Sequence, residues 1–310
     1  MAADITPLER SPAAQTQRIG RPGRLVMAQR ILFIGGLHRS GTTPVARWVA
    51  QHPDASGLEG TGVAQDEGQH LQDVYPPAAA YGGPGRFALD PAAHLTETSP
   101  EVSAESRDRL WLAWSRHWDS TKPLLVEKSP PNLIRMRFLE ALFPDEARFV
   151  MVVRHPLAVA YATRPWTRRF DSLPPRLTRR VPALQAGLDT LLHHWVVAHE
   201  RFLADAAHVK EVLVARYEDV MEDPNRELGR IFRFAGLDPI ESRWDVKPAL
   251  NERYLARWHR ARSRPGGRRR LDALASAHEA RVAAFGYSLK TPERLSPPTA
   301  AVARYVTAGV

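Results

Sequence analysis

The stretch that most constrains this chain is residues 31–43, ILFIGGLHRSGTT, in which an apolar run passes through a glycine-rich turn into a helical segment. The apolar run suits a buried parallel strand. Thr43-Pro44 then opens VARWVAQ, with proline near the first helical position, where a missing N–H does no harm. From Gly36 the spacing is G-x-x-x-x-G-T-T, whereas the loop that cradles nucleoside triphosphates reads G-x-x-x-x-G-K-[ST]; its lysine reaches the terminal phosphates and its hydroxyl holds magnesium. Here Thr42 occupies the lysine position, and the loop's cation is Arg39. Backbone N–H groups and a helix N-terminus still form an anion cradle. It is not built for a magnesium-bound terminal phosphate, and no metal is expected there.

With 310 residues, 44% of them hydrophobic, the chain can fold as one large α/β domain or two modest ones. We expect a loose tail over 1–27, a domain over 28–290 and a C-terminal tail over 291–310. No apolar run approaches the roughly 18 residues of a membrane helix, and no continuous apolar signal core opens the chain. The absence of cysteine excludes disulfides, thiolate metal sites and a thiol nucleophile, so a cytoplasmic location is expected. The net charge of +9 is uneven: residues 241–270 hold nine Arg and one Lys against three acids, and residues 164–180 hold six Arg against one Asp. Such patches suit polyanions or anionic small molecules, or are a solvated arginine-rich surface. No helix-turn-helix, zinc-finger or aromatic RNA-binding pattern accompanies them.

Apolar runs alternate with helical ones. Strands are expected over 30–35, 124–127, 148–153 and 211–215, with a short one over 55–58. Helices are expected over 66–74, 102–118, 132–142, 156–163, 184–203 and 223–234. This alternation implies a three-layer α/β fold, a central parallel sheet flanked by helices on both faces, with ligands at the carboxyl ends of the strands. Residues 75–100, rich in Pro, Gly and Ala, are too long for a simple connection and suit a lid or binding loop, as do 166–182. Leu110, Trp111, Trp114 and Trp118 form a stripe that suits core.

The strand ends converge on one crevice. The first offers His38, Arg39, Ser40, Gly41, Thr42 and Thr43; the second Glu127, Lys128 and Ser129; the third Arg154 and His155; the fourth Arg216, Tyr217 and Glu218. Cations, hydroxyls and an aromatic ring suit a nucleotide carrying more than one phosphate. Lys128 is one of only five lysines among 43 basic residues, and a compact ammonium at a buried strand end suits a developing oxyanion.

GLHRSGTT resembles the 5′-phosphosulfate loop of sulfotransferases that use 3′-phosphoadenosine 5′-phosphosulfate, and FVMVVRHPLAVAYAT resembles their 3′-phosphate segment. VEKSPPNLIRMRFLEALFPDEARF is similar to the corresponding region of tyrosylprotein and glycan sulfotransferases, and RYEDVMEDPNRELGRIFRFAGL to the family's later strand and helix. The resemblance spans residues 30–237 in order and implies a P-loop-like fold. It also implies that Gly36, His38, Arg39, Ser40, Gly41, Thr42 and Thr43 bind the 5′-phosphosulfate, that Arg154 binds the 3′-phosphate and that Tyr217 lies by the adenine. The family's serine eight residues after that arginine is Ala162 here; Thr163 or the C-terminal arginines are the candidates to replace it.

Sulfuryl transfer builds charge on the leaving bridging oxygen, so a catalyst must align two oxygens, stabilise that charge and take the acceptor's proton. Arg39 and Lys128 suit the second task without a metal. For the base, the resemblance points to Glu59, with Glu67 a close competitor and His70 and His38 behind them. The acceptor is a hydroxyl on a small molecule, lipid or glycan, and arginines near the expected lid favour an acidic one. A P-loop kinase or NTPase is the rival reading, and a basic nucleic-acid-binding protein a more distant one.

Overall fold

The computed structural model describes residues 29–170 and 187–307. The tail expected over 1–27, and 171–182 of the expected second lid, lie outside the described residues. Five strands form one sheet, all parallel, in the order β2-β3-β1-β4-β5: β1 (Arg30–Gly36), β2 (Ala55–Gly57), β3 (Leu124–Lys128), β4 (Ala147–Val153) and β5 (Val212–Arg216). Each strand falls within one or two residues of its expected place.

Side chains alternate across β1. Ile31 and Phe33 join one core beneath α2 (Ala104–Ser115), α3 (Met136–Leu142) and α5 (Leu188–Ala206). Leu32 and Ile34 join a second core beneath α1 (Thr42–Ala50) and α7 (Pro224–Ala235). Burial on both faces is why the strands read as nearly continuous apolar runs. The tryptophan stripe is core, as its spacing suggests: Trp114 is fully buried, with Phe33 at 5.9 Å edge-on.

α4 (Pro156–Phe170) runs past the expected 163, and α6 (Tyr217–Glu222) is a short helix directly after β5. α7 ends at Gly236 (φ 78), whose left-handed conformation caps it. α8 (Glu252–Arg262) and α9 (Gly267–Ala283) follow. Within the stretch expected as a C-terminal tail, α10 (Ala300–Val306) buries Val302, and Arg230 donates to the Val306 carbonyl.

Two expected helices differ. Residues 66–74 form 3₁₀ turns (Ala64–Asp66, Gly68–His70) because Gln65 and Asp66 sit in left-handed backbone at φ 57 and 50. Residues 132–142 split into a 3₁₀ turn (Pro130–Ile134) and α3, since the two prolines shape the first turn and Arg135 leaves helical geometry. Among the described residues, no helix is long and apolar enough to cross a membrane.

Candidate active site

The loop between β1 and α1 is held open by its backbone. Gly41 has φ 103, and a Cβ there would lie 2.4 Å from the Tyr217 ring, so glycine lets the loop close onto Tyr217. Arg39 sits at φ 71, unusual for a side-chain-bearing residue. Its carbonyl accepts a 2.9 Å hydrogen bond from Arg154 Nη1, which anchors the turn. No side chain caps the first turn of α1, leaving its N–H groups available to an anion. Ser40 Oγ is buried under the loop without a partner, an orphan that an anion's oxygens would satisfy.

Lys128 ends β3, where its backbone is in register with Ile34 of β1, two residues before the loop. Its ammonium donates to Glu67 Oε1 at 3.1 Å and to the Gln65 carbonyl at 2.9 Å, with both charged side chains buried. Burial pulls the Lys128 pKa down, and Glu67 opposes the shift. Gln69 Nε2 donates to Glu67 Oε2 at 2.5 Å, and His70 Nε2 stands 3.6 Å from the same oxygen. The structure therefore brings Glu67 and Lys128 together. Glu59 is exposed beyond β2 and lines a small cleft that Lys128 also reaches.

Behind Glu67 lies a buried polar chain. Gln69 N donates to Ser129 Oγ (2.9 Å), and Ser129 Oγ donates to Glu127 Oε1 (2.6 Å). Asn132 Nδ2 donates to Glu127 Oε2 (2.5 Å). Burial drives the Glu127 pKa up to about 7 despite those two donors. Gly68 passes so close to Glu127 that a Cβ would fall 2.4 Å from Oε1. His38 is held neutral by desolvation, its pKa lowered to about 4, and its Nδ1 is sealed without a partner.

Arg154, buried at the end of β4, donates from Nε (2.8 Å) and Nη2 (2.6 Å) to Asn251 Oδ1 and stacks 4.1 Å from the Tyr217 ring centroid. Asn251 in turn donates to Glu218 Oε1 at 2.6 Å. Tyr217 is thus wedged between Gly41 and Arg154. Thr163 is buried with Oγ1 unpartnered and its methyl toward Gly85. A basic cleft of about 510 Å³ lies between α4 and α8, lined by Arg164, Arg257, Arg260 and Arg264 beside Tyr161. Among the described residues, no carboxylate forms an ion pair with these four.

Gln69 and Asn251 were not anticipated as site residues. Their roles rest on contacts across 60 and 97 residues of chain, which local pattern does not carry.

A cavity of about 240 Å³ joins these parts: His38, Arg39, Thr42 and Thr43 from the loop, Glu67, Gln69 and His70 from the turns, and Trp166 from α4. Arg39 lies over the Trp166 ring at 5.4 Å.

A family profile described as the Sulfotransferase family matches residues 32–242, more than half of the chain. The chain belongs to the sulfotransferase family. Its match to the nodulation protein NoeE of Sinorhizobium fredii is 28% identical over 220 residues, 67% of this chain and 50% of the relative, so the chain spans about half that protein's length. Similar solved structures include the sulfotransferase domain of the Synechococcus PCC 7002 olefin synthase (19% identity, 77% of this chain, 92% of that chain, TM-score 0.42). Another is a sulfotransferase from Alicyclobacillus acidocaldarius (17% identity, 75% and 92%, TM-score 0.41). Within the sulfotransferase match fall the loop, Glu67, Lys128, Arg154 and Tyr217; α8, α9 and the basic cleft's Arg257, Arg260 and Arg264 lie beyond it.

Proposed function

We propose that this chain transfers a sulfuryl group from 3′-phosphoadenosine 5′-phosphosulfate to an acceptor hydroxyl, with Glu67 as base. The observation that carries the reading is the buried Lys128 ammonium paired with the Glu67 carboxylate, which lines one cavity with the uncapped anion loop. The donor supplies the activated sulfuryl group and a leaving phosphate. Backbone N–H groups of the loop, Ser40 and the Thr42 and Thr43 hydroxyls fit its 5′ end; the orphaned Ser40 Oγ supports that fit. Arg154 and the arginines of the basic cleft fit the 3′-phosphate. That cleft offers four arginines for the task of the absent serine at Ala162, whereas Thr163 is buried with its methyl toward Gly85.

Lys128 uses two of its three N–H donors on Glu67 and Gln65, and the third is free to meet charge on a bridging oxygen. Arg39 supplies a second cation. Lys128 and Gln69 each hold one oxygen of Glu67, fixing the carboxylate while leaving lone pairs for the acceptor's proton. Alignment and preorganised charge are the main requirements of the reaction.

Thermal stabilisation tests the donor assignment. Adenosine 3′,5′-bisphosphate is expected to raise the melting temperature, and ATP with magnesium to do so less. Stabilisation by ATP with magnesium alone contradicts it and favours a kinase or NTPase.

A further inference from the structure

The cavity above Glu67 has a distribution of polarity that names its occupant. Its apolar lining is Ala64, Ala78, Ala79, Pro84, Pro130 and Trp166. Its polar lining is His38, Arg39, Thr42 and Thr43 of the loop and Gln65, Glu67, Gln69 and His70 of the turns. Gln69 is engaged at both ends, donating to Glu67 and accepting from Ala78 N at 2.8 Å, so it offers little to a second hydroxyl. Arg39, a residue of the donor loop and the one arginine or lysine on the described wall, lies over Trp166 at 5.4 Å. The volume is also restrictive. A cavity of about 150 Å³ accommodates benzene, so about 240 Å³, part of it against Thr42 and Thr43 of the donor loop, leaves room for about one ring.

We infer that the acceptor is a compact, uncharged alcohol or phenol with an apolar body and a single reacting hydroxyl, and not a glycan or an acidic peptide. This rests on the sulfuryl-transfer reading and narrows it. In the step, the acceptor oxygen bonds to sulfur as the bond from sulfur to the bridging oxygen breaks. The acceptor's proton passes to Glu67, and adenosine 3′,5′-bisphosphate leaves with the bridging oxygen. The apolar walls replace water around the acceptor's body and leave extra hydroxyls or a carboxylate without partners, which is how such a chamber discriminates. The arginine-lined cleft lies between α4 and α8 and shares no residue with this chamber.

The test uses the full chain, the donor and four acceptors: para-ethylphenol, para-hydroxybenzoate, methyl glucoside and a tyrosine peptide rich in acids. Binding of adenosine 3′,5′-bisphosphate is measured in parallel. We expect kcat/KM for para-ethylphenol to exceed each of the others at least about 10-fold. Ala79→Phe, a change on an exposed turn, is expected to raise KM for para-ethylphenol by a similar factor while leaving the KM for donor unchanged. If the bisphosphate binds but the glycoside, the peptide or the benzoate is preferred, or no phenol is sulfated, the acceptor inference is overturned and the donor reading stands. If the bisphosphate does not bind, the donor reading itself fails.

Discussion

Lys128 Nζ lies 3.1 Å from Glu67 Oε1 with both side chains nearly sealed from water, although 61 residues separate them in the chain. Truncating one member of such a pair strands the other charge in the interior, at a cost of about 3–5 kcal/mol. Lys128→Met is expected to lose stability on that scale in urea denaturation. Adding Glu67→Gln to it should recover much of the loss. A double variant no more stable than Lys128→Met would show that the two charges are not coupled. Turnover by Lys128→Met is expected to fall on the order of 100-fold or more.

Arg154 joins the two ends of the proposed donor site, because one guanidinium holds the Arg39 carbonyl and the Asn251 side chain at once. Lysine cannot reproduce that fork. Arg154→Lys is therefore expected to weaken adenosine 3′,5′-bisphosphate binding by about 1.5–3 kcal/mol, the scale of a lost charged hydrogen bond. Isothermal titration would read it, and an unchanged affinity would remove Arg154 from the site.

Glu127 gives the fold a pH dependence. Its carboxyl, ordinarily near 4.5, is pushed up to about 7 by burial, so the folded state binds this proton more tightly than the unfolded chain. The stability it contributes is complete below about pH 4.5 and is lost as pH rises through about 7. Glu127→Gln is expected to flatten that decline, measured as unfolding free energy between pH 5 and 8. A variant with the same slope as wild type would assign the decline to other groups.

The loop and the strand-end cations were legible because they are local: glycine spacing names the turn, and an apolar run names the strand that carries Lys128. The turns that carry Glu67 were not. DEGQHLQDV reads as helix by composition, but contacts from distant segments decide it. Trp114 Nε1 donates to the Gly68 carbonyl at 3.1 Å, Ser129 takes the Gln69 N–H, and Glu127 admits only a glycine at 68. Gly68 inside an expected helix was the signal available. Arg154 is legible as a strand-end cation, and the resemblance implies its anion, whereas its fork to Asn251 depends on where α8 returns to the sheet. The packed end at Val302 was hidden for the same reason, since Ala- and Pro-rich sequence after 291 carries little periodicity.

The central claim is that Glu67 takes the acceptor's proton, and separate Glu67→Gln and Glu59→Gln variants test it most directly. Glutamine at 67 retains an oxygen for Lys128, so folding and adenosine 3′,5′-bisphosphate binding should persist while kcat for sulfuryl transfer falls about 10²-fold or more. Glu59→Gln, at an exposed position, should keep kcat close to wild type. The opposite pattern, with activity lost in Glu59→Gln and retained in Glu67→Gln at equal nucleotide affinity, would contradict the account.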